Sequence, residues 1–84
     1  MKTLADFKRR LTPSTKVEIA NTRRNATRTA SIVRVRSKDF SVDTPSGQES
    51  FIDFNKASDW TFSANSAIQS FGRDQQFSMT FTFV

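Results

Sequence analysis

The 84 residues are 36% hydrophobic and 25% charged, with no Cys and no His. That composition specifies one small domain, 1–84, and excludes a disordered charged tail, a disulfide scaffold and a membrane span, which takes about 18–20 apolar residues. The net charge of +5 divides sharply: residues 1–38 hold eleven Lys/Arg against Asp6 and Glu18 for +9, and residues 39–84 hold Lys56 and Arg73 against six acids for −4.

Leu4, Phe7 and Leu11 recur at i, i+3 and i+7, which predicts a short helix over about 3–11 with one apolar face. Thr3 suits its N-cap, and Asp6 three residues later completes a capping-box pattern. Lys8, Arg9 and Arg10 suit the negative end of the helix dipole, and Pro13 blocks continuation. Helix electrostatics therefore accounts for part of the N-terminal charge. After Pro13 the apolar period falls to two. Val17 and Ile19 point inward from a first strand, residues 21–25 form a polar, basic loop, and residues 28–38 are a long β-prone run. Strict alternation puts Ser31, Val33 and Val35 on one face of that run and Arg28, Ala30, Ile32, Arg34, Arg36 and Lys38 on the other. Phe40 and Val42 alternate inward again, and residues 44–48 are a turn by composition.

Residues 50–54 read as a further strand, in which Phe51 and Phe54 share a face only if a bulge or twist intervenes near Asp53. Residues 55–59 form a tight turn that places Trp60 in the core, and Trp60, Phe62 and Ala64 then alternate. Two strands, 67–71 and 77–83, flank a four-residue hairpin loop at 72–75, and the second carries Phe77, Met79, Phe81 and Phe83 on one side. The pattern predicts a mainly β (α+β) fold: a short N-terminal helix, then a five- to seven-stranded antiparallel meander over about 15–84. A small SH3-like barrel or rolled sheet, with the helix across one open end, is the first choice. An OB-like barrel is second, because the chain leaves little room for its inserted helix.

The charge division points to nucleic acid or another polyanion as partner, against the plainer reading that the two halves attract each other within one fold. Arg28, Arg34, Arg36 and Lys38 on one strand face, with Arg23 and Arg24 in the adjoining loop, are the candidate polyanion-binding residues. Alternate strand residues rise about 6–7 Å per pair, comparable with phosphate spacing, and guanidinium groups grip phosphate in a two-point fork. The competing reading is a solvated face whose charge deters edge-to-edge aggregation. The nine Phe are mainly core, with Phe40, Phe51 and Trp60 the rings that would stack on bases if exposed.

Asp39, Asp43, Glu49, Asp53, Asp59 and Asp74 are spread singly, so no spacing enforces a carboxylate pair or a metal site. Without His or a Ser-x-x-Lys pattern nothing activates a Ser or Thr nucleophile, and two Gly make no phosphate loop. The expectation is a protein without catalytic residues, cofactor or metal.

Residues Thr3–Arg9, Leu11–Val17 and Asp53–Trp60, with the Phe/Thr-rich terminal strand, resemble small uncharacterised β-rich proteins encoded by bacteriophages and mobile elements. These pieces cover a minority of the chain. The resemblance implies a phage or prophage setting and a compact β-rich fold, and it transfers no functional residue. The expected function is a cytoplasmic, nucleic-acid-binding accessory module that grips phosphates with little sequence specificity, without a membrane partner. One alternative is a protein-binding inhibitor or adaptor that docks on an acidic surface of a host nucleic-acid enzyme or defence complex. Another is a structural homo-oligomer joined through the edge of the Phe/Thr strand.

Overall fold

The computed structural model describes residues 1–84. Thr3 caps the one α-helix, α1 (Leu4–Arg10): its hydroxyl accepts from the Asp6 amide at 3.2 Å. The Asp6 carboxylate accepts in return from the Thr3 amide at 3.2 Å and the Lys2 amide at 2.9 Å. The capping box legible in the sequence is therefore present. Two turns do not persist alone in water, so tertiary contacts must hold them. Phe7 supplies these. It is fully buried, with its ring centre 5.0–6.2 Å from those of Phe40, Trp60, Phe62, Phe81 and Phe83.

Seven strands follow: β1 (Lys16–Asn21), β2 (Ala26–Val35), β3 (Asp39–Asp43), β4 (Glu49–Asp53), β5 (Trp60–Phe62), β6 (Ser66–Phe71) and β7 (Phe77–Phe83). Every pair is antiparallel, in the order β4-β3-β2-β1-β7-β6-β5. The sheet rolls around an aromatic core but does not close, because β4 and β5 form no ladder with each other. Two side chains bridge the seam instead. Gln69 donates from Nε2 to the Asp53 carbonyl at 2.7 Å, and the Trp60 indole donates to the Phe54 carbonyl at 2.8 Å. Gln69 is only 4% exposed, and an apolar residue in its place would remove the donor from that carbonyl.

β2 serves both parts of the roll. Ala26–Ser31 pair with β1, residues 32–35 pair with β3, and the register shifts between Ile32 and Arg34. Ala30 and Ile32 face the core before the irregularity, Val35 packs against it afterwards, and Arg34 and Arg36 turn outward. The two faces expected from strict alternation are thus corrected. A bulge adds one residue to one strand and moves every later side chain to the opposite face. Arg28 lies on the inner side of β2 with Ala30 and Ile32, and Arg34 and Arg36 lie on the outer side.

The conflict between Phe51 and Phe54 resolves without a bulge. Phe51 faces outward from β4, 51% exposed, whereas Phe54 lies beyond the strand end and is buried. A 3₁₀ turn at Ala57–Asp59 delivers Trp60 to the core as expected. The loop before β7 has five residues, Gly72 to Gln76, rather than four, and contains a 3₁₀ turn at Arg73–Gln75. β7 itself sits between β1 and β6, so both its edges are paired. That overturns self-association through the Phe/Thr strand; the free edges belong to β4 and β5. No helix is long and apolar enough to cross a membrane.

Candidate binding cleft

The fold separates the six basic residues singled out in the sequence into three groups. Arg34 and Arg36 lie on the outer face and are already engaged. Arg34 Nη2 meets Glu49 Oε1 at 2.7 Å, and Arg36 donates through Nε and Nη2 to the two Asp39 oxygens at 2.7 and 2.8 Å. The Arg36 guanidinium also covers the Phe51 ring at 4.8 Å, and the buried Ser41 hydroxyl donates to the second Glu49 oxygen at 2.8 Å. These bonds set the acidities. The Arg36 hydrogen bond holds the Asp39 carboxyl below its ordinary range, and Asp39 raises Arg36 in turn. The Ser41 hydroxyl, then Arg34, hold Glu49 down. Each cation here has its own anion, so this face carries little field.

Lys38 belongs to a different region, next to α1. Its carbonyl accepts from the Phe54 amide at 2.9 Å, and the neighbouring Ser37 carbonyl accepts from Lys8 Nζ at 3.1 Å.

Arg23, Arg24 and Arg28 come together. The tip of the β1–β2 hairpin is wound around Asn21, whose side-chain oxygen accepts from the Arg23 amide at 2.9 Å and the Arg24 amide at 3.3 Å. Asn25, at φ +49°, completes the reversal, a conformation that Asn tolerates better than most residues. Thr22 ties the tip to the start of β7: its amide donates to the Ser78 carbonyl at 3.0 Å, and its hydroxyl accepts from the Ser78 amide at 2.8 Å. The tip is therefore anchored while both arginine side chains remain exposed. Arg28, half-buried on the inner side of β2, donates from Nη1 to the Asp43 carbonyl at 2.8 Å. No carboxylate lies within 4.0 Å of any of the three guanidinium groups.

These arginines border a cleft of about 650 Å³. Ile19, Val42, Ile52 and Met79 form its apolar floor, and Asn21, Asn55, Gln69 and Phe71 complete the wall. Ser50, Phe51, Ile52 and Asp53 all line it although successive residues of a strand point to opposite faces, so the cleft runs along the free main-chain edge of β4. Asp53 is the one acid on the lining, and it accepts from the Asn55 amide at 2.8 Å. The cleft shares no residue with the aromatic cluster around Phe7.

Among the three rings named for stacking, Phe40 and Trp60 are buried, and only Phe51 is open to solvent. Phe71, half-buried and 5.8 Å from Phe77, is a cleft ring that the sequence did not single out. Gln69 was the available signal: a polar residue at the inward position of β6, two residues from buried Ala67. No group of three or more acidic side chains is arranged to hold a metal ion. Comparison with known protein families, functionally described proteins and solved structures finds no match.

Proposed function

We propose that the chain is a small non-enzymatic module that binds nucleic acid through the cleft bordered by Arg23, Arg24 and Arg28. The observation that carries this reading is the convergence of three guanidinium groups, none paired with a carboxylate, on an apolar-floored cleft of about 650 Å³. Guanidinium donors without an internal anion meet phosphate at no cost in broken ion pairs, whereas Arg34 and Arg36 would first have to leave Glu49 and Asp39. The resemblance to phage and mobile-element proteins supports an accessory role in the host cytoplasm.

Fluorescence anisotropy of labelled oligonucleotides at two salt concentrations tests the reading. Three phosphate contacts predict a slope of log K against log salt of about −2 to −3. Absence of binding at low salt, or binding that survives Arg23→Ala/Arg24→Ala/Arg28→Ala unchanged, would overturn it.

A second reading, an inhibitor or adaptor that binds acidic protein, is favoured by one observation: the unpaired edge of β4 beside these cations. An extended acidic segment would add to that strand and face the arginines. An acidic peptide that displaces an oligonucleotide of equal charge, while neutral peptides do not, would assign the site to protein.

A further inference from the structure

We infer, resting on the reading of the cleft as a nucleic-acid site, that its ligand is a single strand with one unstacked base inserted between β4 and β6, rather than a duplex. The arginines and the apolar floor belong to one concavity, not to separate surfaces. Arg23 and Arg24 sit on a hairpin tip held back against β7 by hydrogen bonds between Thr22 and Ser78, and both line the cleft. A duplex keeps its bases stacked inside its phosphate walls, so it would satisfy the cations and leave the floor of Ile19, Val42 and Met79 empty. A single strand satisfies both, because its bases can be splayed out and covered by apolar and aromatic side chains.

The cleft has what an inserted base requires. Its volume falls within the about 300–1,000 Å³ of sites that engulf small organic ligands. Met79 and the Phe71 ring, both half-buried on the lining, cover a base face. The edge of a base needs donors and acceptors, and the free main-chain edge of β4 presents both at Phe51, with the Asn55 side-chain amide also on the lining. Charge is matched as well, with three cations and one carboxylate on the lining. Arg28, the one half-buried arginine of the three, is placed for the phosphate of the inserted nucleotide, and the exposed Arg23 and Arg24 for those that flank it. The chemistry is common to DNA and RNA strands.

Anisotropy with single-stranded and duplex oligonucleotides of equal length, in both deoxy and ribo forms, provides the test. Two variants narrow the cleft from positions outside the core, Ser50→Trp and Ala26→Trp, with folding checked by circular dichroism. A single strand is expected to bind about tenfold or more tightly than duplex, and either folded variant to lose about that factor on single strands with duplex binding unchanged. A strand that carries 2-aminopurine reports insertion without any variant, since its emission rises when the base unstacks. Equal affinity for single strand and duplex, with both lost in the triple arginine variant, would overturn base insertion and leave the nucleic-acid reading standing. Unchanged 2-aminopurine emission at saturation would do the same. Failure of every oligonucleotide to bind would overturn both.

Discussion

Two basic regions of this domain treat the same kinds of side chain differently. Next to α1, Lys8 donates to the Ser37 carbonyl at 3.1 Å and lies 4.5 Å from the Phe54 ring centre. Arg10 donates to the Ala64 carbonyl at 2.8 Å and covers the Phe83 ring at 4.3 Å. These cations lie across the aromatic core and fasten the helix, with their charge directed at carbonyls and ring faces. At the cleft, Arg23 and Arg24 are exposed on an anchored hairpin, with only the Phe77 ring, 5.7 Å from the Arg23 guanidinium, beside them, and Arg28 meets a single carbonyl. The difference lies in the supply of acceptors rather than in the number of charges. A net +9 over residues 1–38 is the sum of helix fasteners, internal ion pairs and a small set of free donors.

The largest expected effect breaks the helix side of that contrast. Phe7→Ala removes the ring around which five others pack and should cost about 3–5 kcal/mol, against the about 5–15 kcal/mol of a typical domain. Urea denaturation or a thermal melt measures it. If the variant were as stable as the parent, α1 would not be a structural element, and the contrast would fail.

Next comes the cleft. Arg23→Ala/Arg24→Ala/Arg28→Ala should lower oligonucleotide affinity at least about tenfold at low salt, with stability changed by less than about 1 kcal/mol. Lys8→Ala/Arg10→Ala should give the opposite pattern: a stability loss of about 0.5–2 kcal/mol and binding within about twofold of the parent. Measured together by anisotropy and thermal melts, the two variants should exchange columns; matching losses in both would erase the distinction. Thr3→Ala should cost about 1 kcal/mol through loss of the N-cap and leave binding untouched, which isothermal denaturation and the same binding assay would resolve.

The smallest effect is on pH. Backbone donation from Lys2, supported by Thr3 and Arg9, holds Asp6 below 3.8. Arg36 holds Asp39 below 3.8, and Ser41 with Arg34 holds Glu49 below 4.5. Each lowered carboxyl means that the unfolded chain binds more protons in this range, so stability rises with pH there. The contribution is complete above the ordinary values and is lost as pH falls through the lowered ones. Melting temperature should therefore be flat from neutrality to about pH 5 and decline below it. In Glu49→Gln the decline should be shallower, since that carboxyl no longer titrates. All three groups are half-buried and still reach solvent, which keeps the effect small.

What could be read from the sequence were the features written in near neighbours. The Thr3–Asp6 box, the turn before Trp60 and the inward set of β7 each depend on residues within a few positions of one another. The bulge in β2 was hidden because no Gly marks it, and apolar residues stand on both faces of the run: Ile32 on one, Val33 and Val35 on the other. The cleft was hidden for a different reason. It exists because β4 and β5 fail to pair, and pairing between strands is a property of the whole roll. Arg23, Arg24 and Arg28 could be named in advance. What separates them from Arg34 and Arg36 is the placement of Glu49 and Asp39 across two other strands.

The place of β7 governs how the molecule assembles. β7 follows the other six strands in the chain yet lies in the middle of the sheet, with Ile19 of β1 opposite Phe81. During synthesis the β1–β4 meander emerges first as an incomplete sheet, with one side of β1 bare and Phe40 uncovered. The β6–β7 hairpin must then reach back across most of the chain before either half gains a shared interior. Contacts so distant in sequence slow the search for the native state and make it cooperative. An emerging chain would remain vulnerable to proteases and to stray strand pairing until its final segment was free to dock.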